Sequence, residues 1–367
     1  MEALKETIVE HGPFYLAVGG LIIGFLFGFI VQRTNFCTMG SISDIMSFGD
    51  YRRFRAWLLA AAVAIIGAQL LQYYGIVDLK QSMYLSGPMV WLGNLIGGLI
   101  FGFGMVFAGG CTSRNLIRVG GGDLRSLIVL IVLGLFAYMT MGGLFGLLRA
   151  EIHQLMTVDF KDMGMASQSF GDVVTALSGL DVGSGHLIAS ALIAGSILIY
   201  CFSNGAFRSS PSNIIAGVGI GLCATLGWAL TGLAFDEFAD SPQMATSLSY
   251  VRPTGDTLEY LRRFTADMMP RFGVTTVFGA LLGAFVSSTL AGRFSVLGFS
   301  DTGDLKRNLF GAAAMGIGGV LAVGCTVGQA ITGVSTLALG SILTFAAIVV
   351  GGIYGIKYME YLLMKDL

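Results

Sequence analysis

The sequence predicts an all-α integral membrane protein with about nine transmembrane helices, short re-entrant half-helices and inverted-repeat pseudo-two-fold symmetry. Of its 367 residues, 54% are hydrophobic and only 12% are charged, whereas soluble domains carry about 25% charged residues. A soluble protein this apolar could not cover its own surface with polar groups. The 54 glycines are roughly twice the usual ~7% and indicate close helix packing inside a membrane.

A short frame occurs four times along the chain. Its fullest copy, Asn94–Thr112, reads NLIGGLIFGFGMVFAGGCT. A small residue stands thirteen positions before a cysteine, a glycine stands nine before it, and a threonine follows it directly. The four copies are Gly24, Gly28, Cys37 and Thr38; Gly98, Gly102, Cys111 and Thr112; Gly217, Gly221, Leu230 and Thr231; and Ala312, Gly316, Cys325 and Thr326. The glycine and the threonine recur in all four copies, and the cysteine in three.

Nine apolar stretches approach the ~20 residues that cross a bilayer. We predict spans at Phe14–Val31, Ala56–Tyr74, Val90–Gly109, Leu124–Leu148, His186–Phe202, Ile214–Leu230, Gly273–Ala291, Leu309–Gly324 and Leu337–Tyr354. Two polar segments, 149–184 and 239–270, interrupt the series. We expect both on the outer face, where they would shape an entrance or bind a partner.

The spans and the four frames together predict an inverted repeat. Residues 1–150 would form the first repeat, with spans 1–4 and two half-helices. Residues 151–184 would connect on the outer face, 185–211 would contain the linking fifth span, and 212–367 would form the second repeat with two more half-helices. Because four spans return the chain to its starting face and the fifth crosses again, the second repeat starts from the opposite face. Substrate sites in such folds lie near the membrane midplane, between the repeats.

Basic residues predict the orientation. Arg52, Arg53 and Arg55 lie in one short loop, and short basic loops tend to stay in the cytoplasm. We therefore predict an outer N-terminus and a cytoplasmic C-terminus. The acidic start of the chain lacks the positive region of a signal peptide, so the first stretch is expected to remain as a span. The net charge of −1 and the absence of a basic run give no reason to expect nucleic acid as a partner.

Each cysteine–threonine pair lies where a long apolar helix meets a short segment, which indicates a broken helix. The segments after Met39, Thr112 and Thr326 are too short to span, so we predict half-helices there with each threonine as the N-cap. Loose backbone at membrane depth is tolerated only where it lines a cavity or is buried in protein. Half-helix N-termini suit an anion, and a thiol adds a polarizable sulfur. The pattern favours a path for a soft, sulfur-containing anion.

The candidate substrate-binding residues are Cys37, Cys111, Cys325, Gln329 and Arg114. The alternative is that the cysteines only pack, and Leu230 shows that the frame itself does not require cysteine. Arg114 would hold an anion, fix a half-helix end or anchor the interface. Gln329 needs a hydrogen-bond partner in a membrane segment, and a substrate oxygen is one candidate.

Arg33 lies one helical turn before Cys37. A charge at that depth is usually paired, so we expect Asp44 or Asp50 as its partner, with a contact to the substrate as the alternative. Cys201 and Cys223 lie in apolar helix and are predicted to be packing residues.

No cofactor or metal site is predicted. The five cysteines form no CxxC motif and the three histidines no cluster with them, so a zinc site and a dithiol redox pair have little support. A membrane sulfurtransferase or thiol-redox enzyme that uses the cysteines covalently is the alternative to a transporter. Another alternative is a channel in which the cysteines are incidental.

Three motifs carry a family resemblance: RTNFCTMGSISD (Arg33–Asp44), GGCTSRNLIRVGGGDLRSL (Gly109–Leu127) and GCTVGQAITG (Gly324–Gly333). They resemble the YeeE/YedE sulfur-transport family. The resemblance implies a bacterial inner-membrane thiosulfate transporter, not an enzyme, with nine spans and re-entrant helices. It also implies a relay of thiosulfate between Cys37, Cys111 and Cys325 through S–H contacts, with Gln329 included in its motif.

The resemblance extends to partners and substrates. The family often works with a cytoplasmic sulfur-carrier protein resembling TusA, and we expect no such domain fused to this chain. Some relatives are linked to selenium metabolism or sulfur oxidation. Another sulfur or selenium species is therefore the alternative substrate.

Overall fold

The computed structural model describes residues 11–155, 157–179, 181–235, 244–266, 268–299 and 301–365. Within these ranges the regular structure is helical, which confirms the all-α class. The helices are α1 (Gly12–Thr34), α2 (Thr38–Phe48), α3 (Arg52–Tyr73), α4 (Trp91–Phe107), α5 (Thr112–Gly120), α6 (Leu124–Met141), α7 (Gly146–Leu155), α8 (Phe170–Ser178), α9 (Val182–Phe202), α10 (Gly205–Arg208), α11 (Pro211–Leu233), α12 (Val251–Arg263), α13 (Phe272–Leu290), α14 (Thr302–Leu321), α15 (residues 326–335, with a π-helical turn at Gly328–Gly333) and α16 (Leu339–Lys365).

Eight helical stretches of the described chain are long and apolar enough to cross a membrane. They are α1 with α2, α3, α4 with α5, α6, α9, α11, α13 and α16. The remaining predicted span forms α14, which has 20 residues and carries Asp304, Lys306 and Arg307 near its start. Because of these charges, α14 is less apolar than the other eight stretches. It packs against α4 and α6.

Three predicted span boundaries differ from the structure by more than five residues. The ninth span ends at Lys365 instead of Tyr354, because α16 continues past the apolar stretch. The fourth span ends at Met141 instead of Leu148, because two glycines interrupt the helix before α7 begins at Gly146. The eighth begins at Thr302 instead of Leu309, because an Asp301 carboxylate oxygen accepts the Asp304 N–H at 2.7 Å and caps an extra turn.

The frame glycines bring helix backbones together. A Cβ atom added to Gly28, Gly102, Gly221 or Gly316 would overlap a backbone carbonyl of another helix in every case. The helix pairs joined in this way are α1 with α13, α4 with α16, α11 with α3 and α14 with α6. The close packing expected from the glycine content is thus found at the same frame position in all four copies.

Three of the four frames end in a broken helix, as predicted. Before each cysteine one residue takes a left-handed conformation: Asn35 (φ 54°), Gly109 (φ 70°) and Val323 (φ 58°). A short helix then follows, namely α2, α5 or α15. The cysteines, not the threonines, occupy the N-cap position of α2 and α5. The predicted threonine caps are therefore wrong, because the chain already has helical geometry at the threonine.

The frame at Leu230 behaves differently. Helix α11 runs unbroken to Leu233, and the Thr231 hydroxyl donates to backbone carbonyls instead of starting a new helix. The half-helix predicted there is wrong, because no residue with left-handed geometry precedes Leu230. Residues 244–250 form no regular secondary structure, and the short helix α12 begins after Tyr250.

The connection between α6 and α9 folds back onto the bundle. Residues 168–170 of this connection form hydrogen bonds with the backbone just before α16 and with the first residues of α16. The Gln168 side chain also donates a hydrogen bond to the Tyr84 carbonyl. Asp172 bonds to both the His186 ring and the Ser167 hydroxyl. Burial opposes ionisation of Asp172, but these two hydrogen bonds outweigh it and lower its pKa. The pair fastens the connection to α9.

Candidate functional site

The three frame cysteines meet in the interior of the bundle. Cys37, Cys111 and Cys325 are 8%, 1% and 0% exposed, and all three are free thiols. Cys111 interacts electrostatically with both Cys37 and Cys325. The three breaks, which are far apart in sequence, therefore lie in the same part of the bundle.

The sulfur atoms act mainly as acceptors from the protein. The Gly40 N–H donates to Cys37 Sγ and the Gly328 N–H to Cys325 Sγ, each over 3.4 Å. Cys111 Sγ lies 3.3 Å from the Ser113 hydroxyl. Because Cys37 and Cys325 accept in these contacts, their S–H hydrogens stay available to a ligand.

The threonine after each cysteine presents a free hydroxyl. Thr38, Thr112 and Thr326 are all buried, and none of their hydroxyls has a hydrogen-bond partner in the described protein. A buried hydroxyl without a partner destabilises a fold by about 1–3 kcal/mol. Three such groups at one frame position are difficult to explain as packing, and they suit the oxygen atoms of a bound anion.

Arg114 keeps an unused donor next to Cys37. Its Nη2 donates to Asn35 Oδ1 over 3.3 Å, while Nη1 is buried without a partner. The break before Cys111 is fixed by other residues, since Arg118 donates to the Gly109 carbonyl and Asn115 to the Gly110 carbonyl. Of the roles considered for Arg114, holding an anion fits this geometry better than fixing the half-helix.

Gln329 joins the break before Cys325 to a cavity. Its Nε2 donates to the Ala322 carbonyl, and its buried Oε1 has no partner. The residue lines a cavity of about 130 Å³ with Tyr84, Asn94 and His153 among its neighbours. The free atom is an acceptor, so it fits a thiol or a water molecule better than the substrate oxygen expected from the sequence.

A second cavity lies beside the first and carries positive charge. Its volume is about 150 Å³, it shares Met83, His153 and Val323 with the first, and it adds Arg149 and Arg252. Burial and the neighbouring Arg149 lower the pKa of His153, and Arg252 pairs with Asp256 over 3.7 Å. Arg149 therefore supplies the charge at neutral pH. Val323 is a β-branched residue with positive φ, a strained conformation typical of functional sites.

Arg33 does not belong to the site. It is exposed at the end of α1, and the expected partners are engaged elsewhere. Asp44 pairs with Arg53 over 3.3 Å and Asp50 with Arg52 over 2.7 Å. The predicted intramembrane pair is wrong, because α1 extends to Thr34 and carries Arg33 to an exposed end.

Sequence reasoning missed three residues around the site. Tyr84 and His153 line the cavity beside Cys325, and Arg118 holds the break before Cys111. Arg118 had a signal, because it follows Cys111 by seven residues and so lies on the same short helix. Tyr84 and His153 had none, because they are distant from any frame.

Known proteins resemble most of this chain. A protein-family model described as sulphur transport matches residues 33–354. The thiosulfate transporter TsuA of Spirochaeta thermophila is 28% identical over 335 residues, 90% of this chain and 96% of that protein. TsuA of Escherichia coli K12 is 28% identical over 326 residues, covering 86% and 87%. The probable transporter YedE of Escherichia coli K12 is 29% identical over only 105 residues, covering 29% and 24%. Because the family model spans most of the sequence, the chain belongs to the sulphur transport family and is a membrane transporter of sulfur compounds.

Proposed function

We propose that this protein carries thiosulfate into the cell along Cys325, Cys111 and Cys37. The observation that carries the proposal is the repeated pair of a buried thiol and a buried, unpartnered threonine hydroxyl. Thiosulfate has a soft terminal sulfur and three oxygens, so each thiol would contact the sulfur and each hydroxyl an oxygen. Two relatives named thiosulfate transporters, similar over most of the chain, support this substrate.

The path would start at the face that carries the described parts of the connections 74–90, 142–181 and 234–271, which we call the entrance face. Arg149 and Arg271 line cavities there and would attract the dianion, while the neighbouring Arg252 pairs with Asp256. Gln329 lines the cavity of about 130 Å³ next to the break before Cys325. At the far end of the path, Arg114 would receive the anion beside Cys37. The entrance face would be external, with an outer N-terminus and a cytoplasmic C-terminus in the bacterial inner membrane. The basic residues Arg52, Arg53 and Arg55 at the start of α3, on the opposite face, support that orientation.

The fold would be an inverted repeat, with residues 1–150 and 212–367 as its halves and 151–184 and 185–211 as their connection. Helix pairing supports this arrangement. If spans 1–4 correspond to spans 6–9, then the α1–α13 pair corresponds to α11–α3, and α4–α16 corresponds to α14–α6. Helix α12 would then be the fourth half-helix, and the thiols would lie near the membrane midplane.

The transfer would need no covalent step. Thiols that stay protonated donate weakly to the anion, whereas a thiolate would repel it. Moving a dianion inward against 100 mV opposes transport by about 4.6 kcal/mol. Consumption of the substrate inside, for example through a cytoplasmic sulfur carrier resembling TusA, or proton coupling would drive net uptake.

Purified protein in lipid vesicles tests the substrate. We expect labelled thiosulfate to enter, and unlabelled thiosulfate to compete at least about tenfold better than sulfate, because sulfate offers no terminal sulfur to the thiols. Sulfite and selenium oxyanions complete the panel. Equal competition by sulfate would contradict recognition of the soft sulfur. A cysteine persulfide trapped during turnover, without uptake, would favour the sulfurtransferase instead.

A further inference from the structure

Two buried tyrosine hydroxyls without partners lie around Cys325. Tyr84 is 4% exposed and Tyr250 is 0% exposed, and neither hydroxyl has a partner in the described protein. Folded proteins seldom leave such groups unpaired, so each one requires an explanation. Burial raises the pKa of both tyrosines, which keeps the two hydroxyls neutral and able to donate.

Tyr84 approaches Cys325 from the entrance face. It lines the 130 Å³ cavity together with Gln329. Its hydroxyl lies 3.5 Å from the point that a Cβ on Gly328 would occupy, and the Ser249 hydroxyl lies 2.7 Å from the same point. Gly328 is the residue whose N–H donates to Cys325 Sγ. The Tyr84 hydroxyl therefore lies between the cavity and the N-terminal turn that begins at Cys325.

Tyr250 belongs to the fourth short helix. It is the N-cap residue of α12, the position that Cys37 and Cys111 hold in α2 and α5. Its ring packs against Phe27 of α1 with 5.0 Å between centroids, so it points into the bundle. Its backbone N–H lies close to the Cys325 sulfur. Helices α2, α5 and α15 each begin at a cysteine thiol, whereas α12 begins at a tyrosine phenol.

We propose that Tyr84 and Tyr250 bind the oxygen end of the substrate anion while its sulfur contacts Cys325, with Tyr250 taking the place of the missing fourth cysteine. The proposal rests on the proposed transport of thiosulfate. A hydroxyl donates a short, strong hydrogen bond to a charged oxygen, whereas a thiol is a weak donor. Phenols at one end and a thiol at the other would orient a two-ended anion.

Replacing each tyrosine with phenylalanine separates this role from simple packing. Phenylalanine keeps the ring and removes only the hydroxyl. Without substrate, each variant loses an unpaired buried hydroxyl and is expected to be at least as stable as wild type in either case. If the hydroxyls have no ligand, substrate binding does not change, whereas if they bind the anion, each variant binds and carries it less well.

The experiment compares Tyr250→Phe, Tyr84→Phe and the control Tyr354→Phe, whose side chain is 66% exposed on α16. Thermal unfolding of the purified proteins is followed as thiosulfate is added, and vesicle uptake is measured on the same samples. We expect at least about tenfold weaker apparent affinity for the first two variants, the effect of one hydrogen bond to a charged ligand, and no change for the control.

The possible outcomes are distinguishable. Wild-type affinity and uptake in both Tyr84→Phe and Tyr250→Phe would overturn the inference and leave the proposed function intact. Failure of wild type itself to bind or carry thiosulfate would overturn both. If one variant does not fold, the other still decides, because the two tyrosines come from different segments.

Discussion

Cys111→Ala is expected to reduce thiosulfate uptake by cells to near background. The proposed path places Cys111 between the other two thiols, so its removal would interrupt the series at its centre. An alanine methyl group cannot donate to the anion. The loss of one hydrogen bond to a charged group corresponds to about 1.5–3 kcal/mol, or roughly a 10- to 150-fold lower rate. Initial uptake rates of labelled thiosulfate, normalised to protein in the membrane, give the comparison.

Cys201→Ala is the matched control. Cys201 is equally buried, but its sulfur donates to the Arg55 carbonyl over 3.3 Å and lies at the end of α9. We expect uptake close to wild type for this variant. Wild-type uptake by Cys111→Ala would show that the anion does not use this thiol.

Gly283→Ala is expected to prevent stable folding. Gly283 lies on α13 where that helix crosses α1, and an added Cβ would overlap the Phe25 carbonyl oxygen and approach the Phe29 amide. Overpacking usually destabilises by about 1–3 kcal/mol. Here backbone meets backbone and no side chain can rotate away, so we expect a loss at or above the upper end of that range. Thermal unfolding and monodispersity of the purified protein measure it.

Gly195→Ala controls for the loss of a glycine in a membrane helix. Gly195 lies in α9, and no atom lies within 4 Å of the position of its added Cβ. Alanine favours helix more than glycine does, so this variant should unfold at the wild-type temperature or slightly above it. Equal unfolding temperatures for Gly195→Ala and Gly283→Ala would contradict the packing described for α1 and α13.

The frame predicted the breaks well because each part has a physical reason. Its glycine is required where two backbones touch, and this holds in all four copies. Each cysteine copy breaks after a left-handed residue two positions before the cysteine, as at Asn35 and Gly109. The Leu230 copy has Trp228 at that position, and α11 continues. Asparagine or glycine two positions before the cysteine was the missing signal, although Val323 shows that this signal is incomplete.

The surroundings of the thiols could not be predicted from the frame. Tyr84, His153 and Tyr250 reach the region of Cys325 from three connections that share no pattern. Contacts between segments that are distant in sequence position these residues. The periodicity of a single segment does not predict such contacts. Arg33 was assigned wrongly for a related reason. The prediction placed its charge within the membrane. Arg33 is exposed instead, because it lies at the end of α1.

The most direct test of the thiol path is uptake into vesicles by the variant Cys37→Ser, Cys111→Ser, Cys325→Ser. Serine is similar in size and keeps a hydrogen-bond donor, so the comparison isolates the contribution of sulfur. Both proteins are purified, shown to unfold at similar temperatures and reconstituted at equal density. The account predicts labelled thiosulfate uptake by wild type and none above empty vesicles by the triple variant. Uptake by the triple variant at the wild-type rate would contradict it.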